Sequence, residues 1–545
     1  MPTTRHPGVR YAIEIADAHA HLYRVTLTIA QPAPTQVLSL PVWIPGSYLV
    51  REFSRHISQM QARQGTRAVE LQQRDKCTWV AACSGRAALT VSYLVYAFDA
   101  SVRAAFLDTR RGFFNGSSVF LRVHGLEGER HQLRIGRLPR GWLVATALSP
   151  AHAIHANGSG DHVVADYVAA NYDELIDHPV ELGCFWRGRF KAHGVPHEFV
   201  VAGAWPGFDG ERLLADTRKI CEAQIRFWHP QGKPPFKRYV FMLNAVDDGY
   251  GGLEHRASTA LIASRRDLPR RDDATSTAAA RSMSDGYVTL LGLISHEYFH
   301  TWNVKRLKPD AFATYDYTQE NYTSLLWFFE GFTSYYDDLL LRRAGLIDEA
   351  RYLQLLGKTI NQVQGTPGRR VQSVAQASFD AWIKYYRPDE NTANATVSYY
   401  TKGSLIGLAF DLTLRQHGGS LDGAMRRLWA LGRPIAQADI RQAMAQEAGR
   451  SLDAEFDAWV LGTDDLPLQT LLHEHGVSWH QITPDRNPCT ALEWGMKLGD
   501  TPAGIKVQAV MRDSMAEATG LAAGDELLAL NGWRLRKAED WPVLL

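Results

Sequence analysis

The chain has 545 residues, too many for one hydrophobic core, and the length suggests about three domains. Its 59 basic and 58 acidic residues leave a net charge of +1 with no charged tail, which argues against nucleic acid as a partner. Five scattered cysteines, Cys77, Cys83, Cys184, Cys221 and Cys489, lack metal-type pairing and read as reduced thiols; with no signal-like or membrane-spanning apolar run, a cytoplasmic chain without a membrane partner is expected.

In chain order, residues 1–195 read as a β-rich domain. Residues 21–29 alternate apolar and polar side chains, the period of a half-buried strand, and turn clusters follow at 45–48 and 115–117. Residues 196–480 mix both periodicities. A helix is expected over 211–228, a strand over 238–244, a glycine-rich turn at 251–255 and a charged surface loop over 265–284. The apolar run 286–294 then opens a helix, with Asp285 as its N-cap and Pro309 as a stop. Lys305 and Arg306 suit a solvated helix end, with substrate contact as the alternative. Beyond them, 405–417 and 420–431 read as helices, and 485–545 changes character again.

The chemistry is concentrated in His296-Glu297-Tyr298-Phe299-His300. On a helix, positions four apart share a face, so both imidazoles can reach one metal ion. Glu297, beside the first of them, suits a general base acting on water: this is the helical zinc-hydrolase motif. The alternative is an amphipathic core helix with two satisfied histidines. A catalytic zinc takes three protein ligands. Glu330 is the third candidate, a lone carboxylate inside the apolar run 325–336 that needs a cation or donor as partner, unless it lies on a wet helix face. Asp337, two turns on, can fix a ligand imidazole by accepting its other N–H.

These residues, with Trp302-Asn303-Val304-Lys305-Arg306-Leu307-Lys308-Pro309 and Trp327-Phe328-Phe329-Glu330-Gly331-Phe332, resemble the M61 peptidases, the glycyl aminopeptidase family related to thermolysin-like zinc peptidases. The resemblance implies one Zn2+ held by His296, His300 and Glu330, with Glu297 as base. The spacing 330 − 300 = 30 is longer than in compact members of that clan. Residues 41–53 resemble the M61 amino-terminal domain, and 171–181 the crossing into the catalytic unit. Gly251-Gly252-Leu253-Glu254 resembles a segment of M1 aminopeptidases. By that likeness Gly252 lies on the strand that pairs with a peptide substrate, and Glu254 receives its free amino group. M1 enzymes carry asparagine where this chain has His255. Tyr399-Tyr400-Thr401-Lys402-Gly403 resembles the M1 Tyr-x-Lys-Gly element, implying Tyr400 as donor to the oxyanion, with Tyr399 as its neighbour and alternative; the plain reading is two packing tyrosines.

Residues 494–498 and Gly520-Leu521-Ala522-Ala523-Gly524-Asp525 through Asn531-Gly532 resemble a PDZ domain, a fold that binds peptide ends by strand addition. Leu545 follows Gly532 by 13 residues, so the groove helix and closing strand are expected to be missing, with the domain either truncated or degenerate. The expectation is a multidomain α+β protein: a β-rich domain over 1–195, a thermolysin-like catalytic domain with a helical lobe over 196–480, and an incomplete PDZ-like domain over 485–545. The function implied is a zinc aminopeptidase acting after small amino-terminal residues, glycine or alanine, on peptide or protein substrates. The alternatives are an endopeptidase of the same fold and a non-catalytic PDZ-type binding protein.

Overall fold

The computed structural model describes residues 8–151, 165–271, 283–480, 493–502 and 504–544. The amino terminus 1–7, most of the expected loop 265–284 and Cys489 lie outside them. The chain folds as two compact units. One holds the large β-sheets and the helix that carries His296; the other is mainly helical and includes the PDZ region.

In the first unit, the strand Val9–Asp17 buries Val9, Tyr11 and Ile13, and Leu22–Ile29 buries Tyr23, Val25, Leu27 and Ile29. This is the alternation that residues 21–29 suggested. The two strands pair antiparallel and sit centrally in an eight-stranded sheet, where Val9–Asp17 also pairs parallel with His131–Ile135. Two four-stranded sheets share the same apolar core. Three buried tyrosines pin the segment 119–121 from different elements: Tyr11, Tyr93 and Tyr172 donate to the carbonyls of Leu121 (2.6 Å), Val119 (2.7 Å) and Phe120 (2.7 Å). Each hydroxyl thereby finds the partner that burial demands.

A five-stranded sheet begins at Trp186, inside the segment that the sequence assigns to the amino-terminal domain. Its order is Trp186–Ala192, Val195–Ala202, Tyr239–Val246, Ser258–Ser264, Tyr250–Glu254. The three central strands are parallel and almost wholly apolar, as strands covered on both faces must be. Tyr250–Glu254 is the antiparallel edge. The helices Gly210–Trp228 and Asp285–Phe299 belong to the same unit.

In the second unit, the helix Thr401–Gln416 is buried nearly all round. Around it lie Leu421–Ala430, Leu468–Glu474 and Leu326–Phe329. The PDZ region has a three-stranded sheet, Met496–Thr501, Gly504–Val510 and Glu526–Leu527, over a small core of Met496, Ile505, Val507, Ala516, Leu535 and Trp541. After Gly532 the chain adds a 3-10 turn, Ala538–Asp540, and one α-helical turn, Trp541–Leu544, which buries Trp541 against Trp494. The Asn394 side chain joins this region to the helical part: it donates to the Val510 carbonyl (2.8 Å) and accepts from the Arg512 N–H (2.9 Å).

Candidate active site

The helix Asp285–Phe299 is capped by Ser284, not Asp285: the Ser284 hydroxyl accepts from the Tyr287 N–H (3.2 Å). Ser284 has the extended backbone of a cap (φ −61°, ψ 152°). Asp285 is already helical, with its charge at the positive end of the dipole. At the other end His300 is the C-cap. Its backbone is still helical (φ −59°, ψ −19°) and its N–H bonds the His296 carbonyl (3.2 Å), so the two imidazoles stay on one face past the last helical turn, edge to face at 4.6 Å.

Glu330 occupies the joint between Leu326–Phe329 and Gly331–Arg343 and is only 2% exposed, which removes the wet-face reading. Among the described residues, one set of metal-type donors converges: single ligand atoms of His296, His300 and Glu330 all lie within 4.8 Å of one another. The tautomers suit a cation. His300 Nδ1 lies 2.7 Å from the Asn303 carbonyl, which can only accept, so the proton is on Nδ1 and the Nε2 lone pair is exposed to the site. His296 Nδ1 lies 3.0 Å from Asp337 Oδ2, the contact the sequence suggested, with the same consequence. The two Nε2 atoms face each other at 3.0 Å, a span that two ligands each about 2.1 Å from one zinc ion can bridge. Two imidazoles and a carboxylate form a donor set that fits zinc.

The edge strand brings Glu297 and the glycines together. Gly252 lies so close to Glu297 that a methyl group built on it would collide with the carboxylate. Both Glu297 and Glu254 are buried. Glu254 in turn lies against the turn at Gly46, whose positive φ (99°) favours glycine and where a Cβ would meet the Glu254 carboxylate oxygens at 2.5 Å.

Lys305 and Arg306 are not a solvated helix end. Lys305 is buried and pairs with Asp177 at 2.7 Å. Arg306 donates to the carbonyls of Thr301 (2.7 Å), Arg256 (2.8 Å) and Pro235 (3.3 Å). Asp177 also accepts from the Arg256 N–H (3.0 Å) and faces the His255 ring (3.4 Å). Burial would raise the Asp177 carboxyl, but Lys305 and Arg256 hold it well below the usual range. Burial pushes His255 down to about 4 against the pull of Asp177, so it is a neutral neighbour of Glu254 at pH 7.

Tyr399 and Tyr400 differ sharply. Tyr399 is fully buried, whereas Tyr400 is half-buried and stands as N-cap of Thr401–Gln416. Burial first, then the Glu330 charge, raises the Tyr400 phenol well above its ordinary value, so it remains protonated and able to donate. The proximity behind that effect has a backbone cause. Gly331 and Gly403 meet face to face: a Cβ on Gly331 would lie 2.5 Å from Gly403 Cα, and one on Gly403 2.6 Å from the Trp327 carbonyl. No larger residue at either position permits this approach. The sequence reading passed over this contact and the Asn303 carbonyl; a glycine directly after Glu330 and another directly after Lys402 were the available signal.

Comparisons with known proteins bear on the family and the fold. The M61 glycyl aminopeptidase family model matches residues 289–406, the Peptidase M61 N-terminal domain matches 10–184, and the PDZ domain matches 487–544. An aminopeptidase N family protein from Idiomarina loihiensis is 37% identical, with 98% of this chain and 91% of that chain covered and a TM-score of 0.91. An M1 zinc metallopeptidase from Deinococcus radiodurans shares the fold, with a TM-score of 0.51 at 14% identity over 84% of this chain and 94% of that one. No curated protein matches the sequence. With the sequence motifs, the domain matches and a relative 37% identical over nearly the whole chain in agreement, this chain belongs to the M61 peptidases and carries a PDZ domain.

Proposed function

We propose that the protein is a zinc-dependent aminopeptidase that removes small amino-terminal residues, glycine or alanine, from peptides and proteins. The observation that carries the reading is the convergence of His296, His300 and Glu330, with both histidine Nδ1 atoms occupied by their own partners and both Nε2 atoms facing one point. In this reading those three residues hold one Zn2+. Bound zinc supplies Lewis-acid polarisation of a carbonyl and lowers the pKa of a water molecule to about 7.

The chain's own residues do the rest. Glu297 takes the proton from the attacking water and passes it to the departing amine. Tyr400 donates its hydroxyl proton to the oxygen that gains charge as the carbonyl becomes tetrahedral. The edge strand Tyr250–Glu254 offers backbone groups at Gly252 to an extended peptide, and Glu254 binds its ammonium group. Unpaired thiols at Cys77, Cys83, Cys184 and Cys221 support a reducing, cytoplasmic setting. The domain division that goes with this reading ends the amino-terminal domain before Trp186 and begins the PDZ domain after the helix Leu468–Glu474.

The test is release of p-nitroaniline from glycyl- and alanyl-p-nitroanilide by zinc-loaded protein, with chelated protein as control and N-acetylated substrates alongside. The expected result is metal-dependent release that acetylation abolishes. Cleavage of acetylated peptides at undiminished rate would replace the reading with an endopeptidase.

A further inference from the structure

Tyr400 does not stand alone. Four tyrosines from two segments form one cluster: Tyr385 and Tyr386, edge-on to each other at 5.6 Å, after the turn Asp380–Trp382, and Tyr399 and Tyr400 before the helix Thr401–Gln416. Ring centroids are 4.8 Å apart for Tyr399 and Tyr400, 4.8 Å for Tyr385 and Tyr399, and 5.4 Å for Tyr385 and Tyr400. Within this cluster the Tyr386 hydroxyl lies 3.3 Å from the Tyr400 hydroxyl. We propose that Tyr386 is a positioning residue for the reaction, whose hydroxyl donates to the Tyr400 oxygen and aims the Tyr400 proton at the oxyanion.

The direction follows from counting protons. A phenol has one proton and can accept through its oxygen. If the Tyr400 proton goes to the oxyanion, only the Tyr386 proton can occupy the contact between the two hydroxyls. A donor behind Tyr400 also polarises its O–H, since hydrogen bonds in series strengthen one another. At 3.3 Å the contact is longer than a relaxed O–H···O of about 2.7–2.8 Å. Catalytic hydrogen bonds are often long before substrate binds and shorten as charge develops.

The scaffold holds the pair in advance. The buried Gln372 side chain donates to the Asp380 carboxylate (3.1 Å) and accepts from the Val397 N–H (3.3 Å), tying the segment before Tyr386 to the segment before Tyr400. The Tyr386 N–H bonds the Ala381 carbonyl (3.1 Å), and Lys384 pairs with Asp380 (2.7 Å). Such fixed donors are what electrostatic preorganisation requires.

The inference rests on the reading of Tyr400 as oxyanion donor, and the test separates the two. Tyr386→Phe, Tyr400→Phe and the double variant are assayed on alanyl-p-nitroanilide as full-length, zinc-loaded proteins. Affinity for a phosphinic dipeptide that mimics the tetrahedral geometry is measured by calorimetry. Tyr400→Phe is expected to lose about 10²–10³ in kcat. Tyr386→Phe is expected to lose about tenfold in kcat and in phosphinate affinity with KM within about twofold, and the double variant to be no slower than Tyr400→Phe. Tyr385→Phe, which trims a neighbour in the cluster, is expected to keep its kcat and so separates hydroxyl chemistry from packing. Wild-type kcat in Tyr386→Phe, a loss that multiplies in the double variant, or an equal loss in Tyr385→Phe overturns the role of Tyr386. Wild-type kcat in Tyr400→Phe overturns the reading of Tyr400 itself.

Discussion

The helix that carries His296 and the PDZ region are built to opposite standards. Along Asp285–Phe299, Tyr287, Val288, Leu290, Leu291, Leu293, Ile294, Tyr298 and Phe299 are all buried, and the polar side chains His296 and His300 each have an assigned partner. The PDZ region gathers a core of six buried residues and leaves Leu528 73%, Trp533 68% and Val543 81% exposed. A site that must hold ligand atoms to fractions of an ångström needs packing that over-determines it, whereas a peptide-binding module works with a thin core and open edges. Changes near the helix should therefore be felt strongly and changes on the PDZ surface hardly at all.

The largest effect is expected at Glu297, the base in the proposed reaction. Glu297→Gln should lower kcat on alanyl-p-nitroanilide by about 10³-fold while metal content, measured by atomic absorption, stays at one zinc per chain. Retained turnover would show that this over-packed helix does not carry the chemistry.

Acid should come next. Burial lowers the imidazoles of His197 and His255 from the ordinary 6.5 to about 4. The unfolded chain therefore binds protons that the folded one excludes between these values. Their contribution is present in full above about pH 6.5 and is lost as pH falls through 4, at about 3 kcal/mol per imidazole. Urea melts at pH 7 and pH 4.5 should show the loss, and His197→Gln should flatten the slope. An unchanged slope would remove His197 from the account.

Behind His296, a ligand in the proposed zinc site, Asp337→Asn should weaken zinc binding about tenfold to a hundredfold, read by competition with a chelating dye. Equal affinity would mean that the His296 ring is held by its packing alone. The smallest effect is on the PDZ surface: Trp533→Ser should change unfolding free energy by no more than about 0.5 kcal/mol. A larger loss would show that the exposed indole is covered by something in solution.

The parts of the site that could be read from sequence were those in which chemistry and position coincide within a few residues. His296 to His300 span one helical turn, and Glu330 stands alone among aromatic residues, so a metal-binding pattern was visible without a fold. The cap was not, because Ser284 and Asp285 are both good caps and only the backbone decides which is extended. The pairing of Lys305 and Arg306 was hidden because their partners Asp177, Arg256 and Pro235 come from other parts of the chain. The Lys-Gly that follows favoured Tyr400 over Tyr399 in the sequence, but their unequal burial, full for Tyr399 and partial for Tyr400, depends on packing that the letters do not carry. In the β-rich domain the alternation announced strands, but the parallel pairing of Val9–Asp17 with His131–Ile135 joins segments far apart in sequence, which periodicity does not reach.

Gly331 and Gly403 press two backbones together with no side chain between them. The carboxylate of Glu330 and the phenol of Tyr400 are each one or a few residues from that seam, so they belong to a single rigid piece. On heating, that piece has no way to come apart gradually: until the seam opens both groups hold their places, and once it opens both are lost. Inactivation of this enzyme should therefore be a single cooperative event, with no warm intermediate that keeps Glu330 in place but has mislaid Tyr400.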